Sequence, residues 1–172
     1  MSTKFENERG YEYYDNHPSC RIYNNSPEPG KALLSCGSGG IGPMPKSSEH
    51  SSNPIQVASV SIDTSRLCNP RVLLNFTCVI GLPEDIEVTL NFVIIKTIDC
   101  GVPQAIGGTH TFIEKADKLE SESFCFQFCD CNPSVGGITY TVKIDPSSKI
   151  HDKDGLTITN ATLSALAVET LC

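Results

Sequence analysis

The densest chemistry in the chain is Cys125-Phe126-Gln127-Phe128-Cys129-Asp130-Cys131, where three thiols fall within seven residues. Thiols so placed can form disulfides, ligate a soft metal or, beside a histidine, act as nucleophiles. If a strand runs through the stretch, the thiols share one face, while Phe126 and Phe128, together with Phe124, share the other. Cys129 and Cys131 then stand about 7 Å apart and parallel, suited to a bond with a neighbouring strand or another chain rather than with each other. Zinc is not expected here, because a tetrahedral site draws converging ligands from two elements and the sequence holds no Cys-x-x-Cys. The chain has nine cysteines, an odd count that fits crosslinking between chains better than closed pairing within one. Cys68 and Cys172 join Cys125, Cys129 and Cys131 as candidates for a disulfide of the body. Cys78 and Cys100 share parity with apolar residues and are expected to be buried, as inert thiols or as an internal pair. Free thiols and metal ligation are the alternatives to disulfides.

Other motifs carry less. His17, His50, His110 and His151 show no nucleophile elbow or oxyanion loop around them, so no enzyme is expected; His110, between Thr109 and Thr111, reads as a solvent-facing strand residue. Gly37-Ser38-Gly39-Gly40-Ile41-Gly42 matches the dinucleotide fingerprint letter for letter, but Pro43 and Pro45 forbid the helix whose N-terminus would hold a pyrophosphate. It reads as a flexible glycine hinge. Asp152-Lys153-Asp154-Gly155 suggests a calcium loop, yet Ile150 and Ala161 occupy its first and twelfth places, and a hairpin turn fits better. No cofactor is expected.

The elements that must position these groups divide the chain in two. Residues 1–54 hold six of the eleven prolines, six of the thirteen glycines, nine serines and no valine, too little apolar surface to offset the entropy of ordering. We divide this part into an extended N-terminal connector, 1–30, and a short first strand with a Gly/Pro/Ser-rich hinge, 31–54. Residues 55–172 carry 40 Val, Ile, Leu, Phe or Tyr and form the body. There the apolar residues alternate: Val72, Leu74, Phe76, Cys78, Ile80; Ile86, Val88, Leu90, Phe92, Ile94, Ile98, broken by Lys96; Phe124, Phe126, Phe128; and Ile138, Tyr140, Val142, Ile144. Period two over these lengths marks half-buried antiparallel strands, and further strands are expected at 32–36, 55–63, 109–114 and 156–168. Turn residues separate them, and 114–122 allows one helical turn at most. Seven or eight strands in this order predict an all-β antiparallel sandwich of jelly-roll type with an extended N-terminal tail.

A net charge of -7 offers no basic stripe for nucleic acid, and no apolar run approaches the ~20 residues of a membrane span. The opening MSTKFENERG lacks an apolar signal region, so no signal peptide is expected, although such cysteine usage suits an oxidising compartment.

Leu33-Leu34-Ser35-Cys36-Gly37 before a Gly/Pro stretch, VASVSIDT at 57–64 and TITNATLSALAV at 157–168 resemble an uncharacterised β-domain family of clostridial spore formers. The layout, a cysteine-bearing connector before a jelly-roll body, resembles the endospore-appendage (Ena) fibre subunits. That resemblance implies a structural, self-assembling protein whose partners are copies of itself. Cys20 and Cys36 would then be the connector cysteines that form intermolecular disulfides. It also implies synthesis in a mother cell without a signal peptide, then exposure at the spore surface after lysis. A sheet edge that accepts a strand from another chain would be one way to stack. A ligand- or glycan-binding sandwich is the rival function, and a thiol-rich metal binder a further one.

Overall fold

The computed structural model describes residues 30–44, 53–151 and 155–170. The connector with Cys20, and also Cys172, lie outside the described residues. The described residues form nine strands: β1 (Ala32–Met44), β2 (Ile55–Asp63), β3 (Pro70–Leu82), β4 (Ile86–Ile98), β5 (Gln104–Ala116), β6 (Glu120–Asp130), β7 (Gly137–Ile144), β8 (Lys149–His151) and β9 (Leu156–Glu169). One sheet has the order β1-β9-β3-β6 and the other β2-β7-β4-β5, with the short β8 on β4. All pairings are antiparallel. Strands pass from sheet to sheet in the order of a jelly roll, so the expected all-β sandwich is the fold.

Alternation builds it. Val72, Leu74, Phe76, Ile80 and Leu82 of β3 face Ile86, Val88, Leu90, Phe92 and Ile94 of β4 across the interior, all buried. The Phe76 ring lies 5.8 Å from Phe92 and 5.0 Å from Phe126, and Phe92 lies 5.0 Å from Phe124, so aromatic pairs stitch the two sheets together. The 114–122 stretch makes no helical turn: β5 continues to Ala116 and β6 begins at Glu120.

The glycine run corrects the hinge expectation, since β1 is strand through Met44. Its glycines serve close approach instead. A Cβ on Gly37 would lie 1.7 Å from the Ser59 carbonyl oxygen, and one on Gly39 1.9 Å from that of Val57. Only glycine lets the edge strand β1 lie against the edge strand β2 and close that side of the sandwich. Ser35 Oγ donates to the Ser61 carbonyl at 2.7 Å across the same seam.

Gly37→Ala should therefore force β1 away from β2 and cost at least about 1–3 kcal/mol, lowering Tm by about 2–4 °C per kcal/mol. At Gly42 an added Cβ meets nothing within 4 Å, and Gly42→Ala should leave Tm unchanged. Thermal unfolding of the two variants tests the seam.

Candidate functional site

Inward parity on the β1-β9-β3-β6 sheet fixes what its outer face displays. Residues paired across the ladders form rows. One row runs Leu34, Leu166, Leu73, Cys129; the next runs Cys36, Ser164, Asn75, Gln127; a third runs Ser38, Thr162, Thr77, Cys125. Above the first stand Ala32, Val168 and Arg71. Leu34 is 69% exposed and Leu73 40%, and Arg71 is the one charged side chain in these rows. The other sheet differs: Glu87 and Lys115 pair on its outer side, and Lys143 stands opposite Val93. The face is thus apolar and hydroxyl-rich, with exposed thiols on both edge strands: Cys36 on β1, Cys125 and Cys129 on β6.

A polar clamp holds the end of β6. Lys96 keeps core parity on β4 and is 7% exposed; its ammonium reaches across the sandwich to Asp130 Oδ2 at 2.6 Å. Tyr140 of β7 donates its hydroxyl to the same oxygen at 2.9 Å. With Asp130 turned inward, Cys129 and Cys131 face outward. Burial, then the Asp130 carboxylate, pushes the Tyr140 phenol above its usual range.

The structure distributes the candidate cysteines unevenly. Cys68 is disulfide-bonded, and its strand-end neighbourhood is tied to the C-terminal strand: its N–H donates to Glu169 Oε1 at 2.8 Å, and its carbonyl accepts from the Thr170 N–H at 3.2 Å. Cys36, Cys125, Cys129 and Cys131 are free and exposed. Opposite Cys125 and Cys129 stand Thr77 and Leu73, so the neighbouring strand offers these thiols no disulfide partner. Cys78 is buried, 4% exposed. Cys100 corrects the parity argument: it is exposed because β4 ends at Ile98, and Asp99 and Cys100 turn with positive φ of 42° and 61°. His110 is corrected too. It pairs with Phe92 and stacks on Phe126 at 3.8 Å, facing inward, with Nε2 buried and unpartnered and its pKa lowered by that burial. The spacing to Phe112, also inward, was the signal for this. Among the described residues no three His, Cys, Asp or Glu side chains converge to hold a metal.

Burial, with the nearby Cys125 adding to it, pushes the Cys78 thiol up to about 12 from its ordinary 9.0. The folded state thus keeps this proton where the unfolded chain releases it. The stabilisation is fully present below about pH 9 and is lost as pH rises toward 12, by up to ~1.4 kcal/mol per pH unit. Denaturant unfolding across that range should show Cys78→Ala with a shallower alkaline decline than the parent protein.

Three solved structures are similar to this chain at low identity. Infectious bursal disease virus of the Gx strain matches at TM-score 0.42 and 9% identity, over 84% of this chain and 39% of that one. The T13 particle of the same virus matches at 0.40 and 9%, over 83% and 36%. Eiger TNF from S. frugiperda matches at 0.37 and 11%, over 81% and 93%. The chain therefore spans less than two fifths of the viral chains' length. A search of curated proteins gives no match. Residues 30–168, the span from the start of β1 almost to the end of β9, match the family described as a domain of unknown function, DUF4489, and the chain belongs to that family.

Proposed function

We propose that the protein is a structural, self-assembling subunit of an extracellular fibre or spore-surface layer, whose partners are copies of itself. The observation that carries this reading is the outer face of the β1-β9-β3-β6 sheet. Its four strands span about 19 Å, and the rows extend over roughly 25 Å, on the order of 500 Å². Two such faces would bury ~1,000 Å², the lower bound for a specific interface. Packing of that size is marginal alone, which gives disulfides a reason to lock it. The exposed thiols at both edges, and Cys20 in the connector, supply the groups. Oxidation would follow exposure of the assembly after mother-cell lysis. The role is mechanical, and no catalysis is assigned. A glycan-binding role has less support: Tyr140, the one tyrosine of the body, is 0% exposed and bonded to Asp130, so it cannot stack on a sugar.

Electron microscopy of the purified chain should show regular assemblies with and without reductant, because packing drives and disulfides lock. Covalent ladders on non-reducing gels should vanish in Cys20→Ser/Cys36→Ser while the assemblies persist; ladders unchanged in that variant would remove these cysteines from the reading. Leu73→Lys/Leu166→Lys should give a folded monomer of near-parental Tm. A parent protein that sediments only as monomer at high concentration would overturn self-assembly.

A further inference from the structure

β6 ends at Asp130. Asp130 Oδ1 accepts from the Asn132 N–H at 3.4 Å, and Pro133 then ends any chance of ladder pairing. Released from the ladder, Cys131 brings its thiol back over Cys129. The two Sγ atoms lie 3.6 Å apart, and Cys131 Sγ is 3.7 Å from the Cys129 carbonyl oxygen. The expectation of a parallel row about 7 Å apart assumed an unbroken strand and fails at this bend. With sulfur bonds of about 2.3 Å, two ligands at 3.6 Å meet on one central atom at an angle of roughly 100°. That angle suits a pyramidal or tetrahedral centre and not a linear one. Both thiols are exposed, so entry is open. Burial, then the hydrogen bond with Cys131, holds the Cys129 thiol above its ordinary range, so both sulfurs enter as neutral thiols. Cys125 is about 14 Å up the strand from Cys129 and cannot join them. Two sulfurs are half of what a structural zinc site requires, but they suffice for a centre with two open valences.

We propose that Cys129 and Cys131 form a bidentate thiol site for a soft, thiophilic centre of pyramidal valence, the chemical class of the trivalent arsenicals. The step is a condensation: the As=O bond of an arsine oxide breaks, two As–S bonds form, and both thiol protons leave with the oxygen as one water. Arsenic stays trivalent and no electron is transferred. This site does not depend on the self-assembly reading.

The probe is phenylarsine oxide, added to the full chain carrying Cys68→Ser, so that reduction opens no second dithiol, kept reduced with a phosphine and read by intact-mass spectrometry. One phenylarsenic group per chain should bind, resist excess glutathione and leave with a dithiol such as dimercaptopropanol. Cys129→Ser and Cys131→Ser should each weaken uptake at least ~100-fold by removing chelation, whereas Cys125→Ser and Cys36→Ser should leave it unchanged. Unchanged Tm in the serine variants separates loss of the site from loss of fold. Uptake that survives in Cys129→Ser/Cys131→Ser, or that glutathione displaces, would overturn the assignment.

Discussion

The inter-sheet layer decides what the outside of this molecule can carry. Phe76, Phe92 and Ile80 are buried between the sheets at 0% exposure, and a strand with side-chain period two has no freedom to rotate one residue without rotating all. Once Leu74 and Phe76 face inward, Leu73, Asn75 and Thr77 must face out. The same holds along β6, where Phe124, Phe126 and Phe128 pack on the core and send Cys125 and Cys129 to the surface. The outer rows are therefore a consequence of the core and cannot slip while it is intact.

Among the described residues one ion pair is admitted to that layer, and it organises the end of the sandwich. Lys96 sits at a core position, and an unpaired ammonium there would be strongly unfavourable. Asp130 from the opposite sheet meets it, and Tyr140 bonds the same carboxylate, so β4, β6 and β7 are tied at a single point. Hydrophobic contact is indifferent to small sliding; a 2.6 Å ion pair is not. The clamp also orients Asp130 inward, which is why the thiols on either side of it share the outer side.

Much of this was legible in the sequence. The alternation in β3, β4, β6 and β7 read directly as half-buried strands, because each has one apolar and one polar face. The departures share a cause: they depend on where a strand stops or on what lies beside it in space. Cys100 lies beyond the last ladder residue, and parity does not extend through a left-handed turn. Cys131 likewise stands just past β6. Gly37 and Gly39 looked like a hinge because sequence shows only backbone freedom, while the reason for glycine here is the Ser59 and Val57 carbonyls of a strand some twenty residues away. The threonines beside His110 suggest a solvent-facing residue, but Phe112 two positions on shares its inward face. The Lys96 partner was beyond reach, since Asp130 is distant in sequence and belongs to the other sheet.

The glycine seam also bears on how copies would meet. An edge strand with free backbone groups invites a strand from another chain, and the sequence alone suggested that route. Yet β1 is held so tightly against β2 that no side chain fits between them at Gly37 and Gly39, and a donated strand would have to break that contact before pairing. The outer face imposes no such cost, because its leucines and hydroxyls are already turned to solvent. On the self-assembly reading, packing between faces rather than strand donation at this seam is the cheaper path. The thiols then sit where a face-packed assembly needs them, at the two margins of the buried area, where they can be oxidised after the faces have met.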